Sequence, residues 1–163
     1  MSAAAEQLSD AQLDEVQPLW AELLAHHSAL PWPPGMRPRP LEASWADRRE
    51  RYARGMAEGT AALFVVRDDA GRPTGFAAVV LHDGERPLLQ SETERVGELD
   101  TIVVSEAARG SGAGTVLVSA ARAWLRERDA APMLISVRAH NDAALAFYAG
   151  LGATQAFVTL ALP

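Results

Sequence analysis

The sequence predicts a mixed α/β domain in which one β-sheet carries helices on its faces. Short apolar runs at 61–67 and 74–81 contain β-branched residues and have the length of buried strands, and a third predicted strand at 95–104 has its apolar end at 102–104. Segments before and after these runs place apolar residues every three or four positions, as amphipathic helices packed on a sheet do. The chain has 163 residues, so we expect a single domain spanning 1–163.

The N-terminal part of the chain is predicted to be helical. Ser9 and Gln12 form a capping-box pattern, and the apolar residues within 13–24 then fall on one helical face. Pro18 lies inside this pattern and should kink the helix or mark a restart. The proline-rich stretch at 30–40 predicts an ordered, extended loop, which a second helix follows.

The remainder of the chain alternates between strand and helix patterns. A turn at 68–73 joins the first two strands into a hairpin, and a third strand follows. An amphipathic helix then begins near Gly112. A strand at 132–137, a short helix at 142–149 and a final strand at 156–162 complete the predicted pattern.

The composition limits the classes of function. The formal net charge is -6 at pH 7, opposite in sign to what phosphate-backbone binding needs, so nucleic acid is not an expected partner. The chain has no cysteine, and no spacing of its histidines suits a metal site, so no metal is expected. The N-terminus has no signal-peptide pattern and no apolar run is long enough to cross a bilayer. We therefore expect no membrane partner and, by default, a cytoplasmic location.

The strongest chemical signal is a glycine-rich turn between a strand and a helix. Gly110, Gly112 and Gly114 follow the apolar strand end at 102–104. Unpaired amides at a helix N-terminus favour a phosphate group, and glycines let it approach the backbone closely. A Walker A loop is excluded because the chain has no lysine, and the glycine spacing does not fit the dinucleotide-binding fingerprint. The alternative is a turn that only permits tight helix–strand packing.

Two motifs carry a resemblance to a known family. Residues 109–114 match the Q/R-x-x-G-x-G/A signature of the GCN5-related N-acetyltransferases (GNAT) at every specified position. The stretch 141–153 is similar to the second coenzyme-binding stretch of that family, N-x-x-A-x-x-Φ-Y-x-x-x-G-F/A. The residues in register with it are Asn141, Ala144, Phe147, Tyr148 and Gly152. The resemblance extends from about Ala61 to the end of the chain.

This resemblance implies the GNAT fold, a splayed, mostly antiparallel sheet of about six or seven strands flanked by about four helices. It implies an acetyl-CoA-dependent N-acetyltransferase that transfers the acetyl group directly to a primary amine in a ternary complex. The amine would belong to a small cationic molecule or to a peptide or protein N-terminus. The residues implied to bind the coenzyme are Ile102, Val103, Val104, Arg109, Gly110, Ser111, Gly112, Ala113, Gly114, Thr115, Asn141, Ala144, Phe147 and Tyr148.

The same resemblance suggests the catalytic groups. Tyr148 occupies the position from which many family members protonate the leaving thiolate, although a core aromatic is the ordinary alternative. Glu98 and Asp100 share one strand face by alternation and are the candidate general bases. They can instead be solvated or bind the cation of the substrate, and a water chain can replace either. His82 and His140 are reserve candidates.

Three questions stay open at this stage. The acceptor pocket is expected between the first two helices, their connection and the stretch 82–94. After the last helix only residues 153–163 remain, so one long strand can end the sheet or a second chain can supply a strand in a homodimer. A non-catalytic acyl-CoA-binding sensor or interaction module is the alternative function.

Overall fold

A single sheet forms the centre of the protein. The computed structural model describes residues 4–83 and 95–162, and within them five strands lie in the order β1-β2-β3-β4-β5. The first three neighbouring pairs are antiparallel, and β4 and β5 are parallel. The strands are β1 Glu6–Gln7, β2 Ala61–Arg67, β3 Pro73–Asp83, β4 Arg95–Val104 and β5 Ala130–Ile135. This confirms the mixed α/β class, with five strands in the described ranges where six or seven were expected.

Four α-helices flank the sheet within the described residues. They are α1 Gln17–Ala29, α2 Leu41–Ala57, α3 Ala113–Arg126 and α4 Asp142–Gly150. A 3₁₀ helix at Asp10–Val16 precedes α1, and Ser9 caps it with the predicted capping box. Pro18 lies in the first turn of α1, where its missing N–H is tolerated, so it marks a restart of the helix.

The two faces of the sheet bury separate cores. On one side, which we call the α3 face, Leu117, Ala121 and Leu125 pack against Val79 and Leu99. The other side, the α2 face, is covered by the 3₁₀ helix, α1 and α2. Its core contains Leu13, Trp20, Trp45, Tyr52, Val65 and Phe76. Both faces of β2 are therefore buried, which explains why its sequence is apolar without alternation.

A β-bulge interrupts β4. In β3, Val79 pairs with Leu99 of β4, and its neighbour Ala78 pairs with Thr101. Asp100, between the two paired residues of β4, is therefore an extra residue. The extra residue changes which side chains face which helices. Leu99 packs in the core of the α3 face, whereas Thr101 hydrogen-bonds to Tyr52 of α2.

The sheet opens between β4 and β5. Their parallel pairing ends at Leu99 and Ile135, and β4 continues to Val104 without β5 beside it. The chain turns away after Ile135 and enters α4 at Asp142. This is the splay that the resemblance implies, and it leaves one side of the end of β4 open beside the glycine-rich turn.

The C-terminal part differs from the expectation. Residues 153–162 contain no helix or strand, and their side chains are exposed. The predicted strand at 156–162 is therefore not formed, because a strand needs a hydrogen-bonding neighbour and no described residue pairs with this segment. In the described ranges, no helix is both long and apolar enough to span a bilayer.

Candidate functional site

The glycine-rich turn has the backbone that its sequence predicts. Gly110 has φ +79° and Gly112 has φ +87°, a left-handed region that favours glycine. An added Cβ would meet nothing within 4 Å at either position, so space is open in front of both residues. Arg109 beside them is exposed and carries a charge suited to a phosphate.

Several amides of this turn are available to a ligand. In the part of the chain that the structure describes, no turn, loop or cap hydrogen bond is donated by the amides of Gly110, Gly112, Gly114 or Thr115. The amides at the start of α3 have no acceptor one turn earlier in the helix. That of Ala113 reaches the Ser111 hydroxyl at 3.3 Å. Unpaired amides at the positive end of a helix dipole fit a pyrophosphate group.

The two predicted motifs are in direct contact. A Cβ on Gly114 would lie 3.1 Å from the Phe147 ring, so glycine at this position lets α4 pack closely on the start of α3. Asn141 caps α4, because its side-chain oxygen accepts a hydrogen bond from the Ala144 amide at 3.2 Å. The second motif therefore positions α4 against the glycine-rich turn.

Tyr148 is buried between α3 and β5. It belongs to the core of the α3 face, and its ring centroid lies 5.2 Å from that of Phe147. Burial raises the pKa of the Tyr148 hydroxyl to about 12. The group is therefore neutral, and a proton donor, over the whole range in which a typical enzyme works.

Glu98 contacts His82 on the α2 face. The imidazole Nε2 and the carboxylate Oε2 are 2.8 Å apart, joining neighbouring strands β3 and β4. The Ser136 hydroxyl, just beyond β5, lies 3.5 Å from the other carboxylate oxygen. Glu98 is mostly buried and His82 is more exposed. A carboxylate in contact with a partly exposed imidazole can take a proton and pass it toward solvent.

Asp100 is held in a different network. Its carboxylate accepts hydrogen bonds from Arg48, Arg51 and the Tyr52 hydroxyl, the last at 2.7 Å. Burial alone would raise the pKa of Asp100, but Arg48, the Tyr52 hydroxyl and Arg51 outweigh it and lower that pKa. Burial and the nearby charge of Asp100 in turn raise the pKa of Tyr52. The Thr101 hydroxyl donates to the same carboxylate at 3.2 Å. A carboxylate with four donors is a poor proton acceptor and a good structural anchor.

The proline-rich loop is fixed by contacts with the segment after β5. The Arg138 guanidinium lies 3.6 Å from the centroid of the Trp32 ring and donates to the Pro31 carbonyl at 2.8 Å. The Trp32 indole donates to the carbonyl of His27 at 3.2 Å. Burial, with the charges of His26 and Arg138, lowers the pKa of His27. The loop is thus ordered, as predicted, beside the opening of the sheet.

Sequence reasoning did not identify Arg48, Arg51 and Arg138. The chain has 15 arginines and no lysine. Nothing in the sequence distinguishes these three arginines from the other twelve. The stretch 84–94, expected to line the acceptor pocket, lies outside the described residues. Within the described ranges, no group of three or more His, Asp or Glu side chains is arranged to hold a metal ion.

Comparison with known proteins extends this picture. The profile of the Acetyltransferase (GNAT) family matches residues 22–153. A mycothiol acetyltransferase of Rhodococcus erythropolis is 30% identical over 143 residues, which cover 85% of this chain and 44% of that protein. One from Nocardioides sp. is 34% identical over 89 residues, 55% of this chain and 30% of that protein. The chain therefore spans less than half the length of these curated relatives.

Solved structures share the fold at low sequence identity. A GCN5-related N-acetyltransferase from Ralstonia eutropha JMP134 superposes with a TM-score of 0.76 at 17% identity, covering 99% of this chain and 97% of that one. The aminoglycoside N-acetyltransferase AAC(6')-Iy, solved with a bisubstrate analogue of coenzyme A, gives 0.75 at 17% identity with coverage of 100% and 98%. With its open glycine-rich turn, its splayed sheet and a profile match over most of its length, this chain belongs to the GNAT acetyltransferase family.

Proposed function

We propose that the protein is an acetyl-CoA-dependent N-acetyltransferase that acts on the primary amine of a small cationic molecule or of a peptide N-terminus. The observation that carries this proposal is the row of unpaired amides at the start of α3, opened by Gly110 and Gly112. These amides and Arg109 would hold the coenzyme pyrophosphate. The open side of β4 at 102–104 would receive the thioester arm.

Of the two predicted carboxylates, we assign the base to Glu98. It contacts the partly exposed His82, whereas the charge of Asp100 is already matched by two arginines. Glu98 would take a proton from the ammonium so that the neutral nitrogen can attack the thioester carbonyl, and the second proton, which that nitrogen loses as the amide forms, would go to solvent. An alkylamine is mostly protonated at neutral pH, so such an acceptor is needed.

Tyr148 would assist the leaving group. When the carbon–sulfur bond breaks, the thiolate takes a proton from the Tyr148 hydroxyl, and solvent later restores it. Starting from the ammonium, the products are an amide, the free thiol of coenzyme A and one proton released to solvent, so atoms and charge balance. Burial keeps Tyr148 protonated for this step.

Release of free thiol tests the proposal directly. The chain has no cysteine, so a thiol-reactive dye added to protein, acetyl-CoA and a panel of amines reports coenzyme A without background from the protein. We expect turnover with at least one amine and a kcat for Tyr148→Phe about 100-fold lower. The affinity for acetyl-CoA should stay unchanged.

Two results would contradict these assignments. Tight binding of acetyl-CoA with no thiol release from any amine would favour a sensor or interaction module over an enzyme. Turnover by Tyr148→Phe at the wild-type rate would remove the proposed proton donor while leaving the acetyltransferase activity intact.

A further inference from the structure

Arg138 carries a positive charge that no acidic side chain of the described residues matches. It is half-buried in the segment between β5 and α4. Its guanidinium carbon lies 3.6 Å from the centroid of the Trp32 ring, and its Nη2 donates to the Pro31 carbonyl at 2.8 Å. Within the described ranges it forms no ion pair, whereas Arg48 and Arg67 each bind a carboxylate. Arginines that are partly buried are ordinarily paired, so this one is available to an anion from outside the chain.

The guanidinium of Arg138 is held in place while most of its donors stay unused. The Trp32 ring covers one face, and the Pro31 carbonyl accepts from one nitrogen. The Nε atom is buried and has no hydrogen-bond partner among the described residues. An arginine placed only to hold the loop would be expected to use its donors, because an unpaired buried donor destabilises a fold. A fixed, planar guanidinium with unused N–H groups is suited to bind a carboxylate or a phosphate at two points.

The end of α1 adds basic groups beside Arg138. His26 and His27 lie in the last turn of this helix. Burial first, and then the charges of His26 and Arg138, lower the pKa of His27. Glu22 lies one turn before His26, but in the part of the chain that the structure describes it forms no ion pair with any of these groups. An anion bound at Arg138 would therefore meet no opposing carboxylate among them.

Arg138 lies between the proposed base and the proline-rich loop. The Ser136 hydroxyl is 3.5 Å from the Glu98 carboxylate. Arg138 follows Ser136 by two residues, so their backbones are within about 7 Å of each other. On its other side Arg138 contacts Trp32 and Pro31, in the loop expected to line the acceptor pocket. An acceptor whose amine approaches Glu98 would thus bring its neighbouring groups toward Arg138.

We propose that Arg138 binds an oxyanion group of the acceptor, so that the protein acetylates amines that also carry a carboxylate or phosphate, as amino acids, short peptides and aminoalkyl phosphates do. The ammonium would face Glu98 and the oxyanion would face Arg138, so opposite charges meet at both ends. This inference rests on the proposed function. It narrows the acceptor from cationic molecules in general to amines with a nearby negative charge.

Matched acceptors that differ in the anion test the proposal. The panel pairs each standard amino acid with its amide, dipeptides with their C-terminal amides, and O-phosphoethanolamine with ethanolamine. Thiol release then gives kcat/KM for every member, and the carboxylate and phosphate arms separate the two kinds of oxyanion. We expect at least one charged acceptor to be preferred over its neutral partner by about 30-fold or more. In Arg138→Gln this preference should disappear because kcat/KM falls for the charged member alone, and Arg138→Lys should keep part of it.

A purely structural role for Arg138 gives a different result. If the arginine only held the loop, Arg138→Gln would lower kcat/KM for charged and neutral acceptors alike, and the proposal would be wrong. A loss of acetyl-CoA affinity in the same variant, measured by calorimetry, would assign Arg138 to the coenzyme instead and also overturn it. Arg54→Gln removes the same charge from an exposed position on α2 and should behave like wild type. Circular dichroism checks that each variant is folded.

The wild-type protein alone separates failure of this inference from failure of the proposed function. Neutral amides acetylated as well as the corresponding acids would overturn the inference and leave the acetyltransferase activity in place. Absence of thiol release with every acceptor would contradict the proposed function, and the inference would fall with it. Because this comparison needs no variant, it decides the question even where a substitution at Arg138 prevents folding.

Discussion

The two sides of the candidate site are built in different ways. On the proposed coenzyme side, one contiguous turn at 109–115 offers backbone amides, and its glycines leave the space in front of these amides open because they have no side chain. On the proposed acceptor side, side chains from α2, β3, β4, the loop after α1 and the segment after β5 contact one another, as in the pairs Asp100 with Arg48 and Trp32 with Arg138.

This difference explains what the sequence reveals about each side. Binding through the backbone requires glycines at fixed spacing, so the proposed coenzyme site can be identified from a short sequence motif. Binding through side chains assembles residues that are distant in sequence, here separated by up to 107 positions between Pro31 and Arg138. Under the proposed function, no local motif therefore marks the residues that would bind the amine.

The comparison predicts that changes on the two sides separate turnover from coenzyme binding. The largest effect is expected for Glu98→Gln, which removes the proposed base. We expect kcat to fall about 1000-fold with little change in acetyl-CoA affinity. The control Glu58→Gln removes the same charge at the exposed end of α2. If Glu98→Gln lost affinity for acetyl-CoA by as large a factor as it lost kcat, the two sides would not be separable.

Gly112→Glu tests the opposite side. The new side chain places a carboxylate in front of the amides and strains the backbone at a positive φ. The affinity for coenzyme A, measured by calorimetry, should therefore fall about 100-fold. Gly59→Glu is a matched control, because Gly59 has φ +72° and nothing within 4 Å of an added Cβ. If both variants bind coenzyme A alike, the glycine-rich turn does not hold it.

Asp100→Asn should act on stability more than on coenzyme binding. Replacing the carboxylate leaves Arg48 and Arg51 without their anion, and the free energy of unfolding should fall by about 2 kcal/mol in urea denaturation. The folded-state pKa of Asp100 is lowered, so its contribution is complete above the unfolded-state pKa and is lost as pH falls through the folded one. The stability difference between wild type and variant should therefore shrink as pH falls below about 4 and disappear below the folded-state pKa of Asp100. A constant difference down to low pH would contradict the ion pairs.

The smallest effect concerns the pH profile of turnover. With the Tyr148 pKa raised to about 12, the hydroxyl keeps its proton in alkaline solution. We expect kcat not to fall between about pH 8 and about pH 10, where an ordinary tyrosine begins to ionise. A descending limb centred near pH 10 that disappears in Tyr148→Phe would show that burial does not protect this group.

The strands at 61–67 and 95–104 were predicted with their observed bounds. Turn-forming residues follow the apolar run of the first strand, and polar residues flank the second, whose apolar end is at 102–104. The prediction for 156–162 was wrong in the described chain, since apolar alternation specifies a face to bury and not the neighbour that buries it. The salt bridges of Arg48 and Arg51 were not predictable, because helix surfaces are generally charged. Whether a charge meets Asp100 depends on how α2 crosses the sheet.

The bulge in β4 has a consequence for how its sequence is constrained. Before Asp100, the odd-numbered residue Leu99 packs on the α3 face. After Asp100, the even-numbered residue Ile102 packs on that face. One inserted residue thus inverts the alternation in mid-strand. If the strand kept Asp100 but ran without the bulge, strict alternation would turn Thr101 toward the apolar core of the α3 face and Ile102 toward α2. The sequence of β4 therefore matches both cores only when the strand bulges at Asp100.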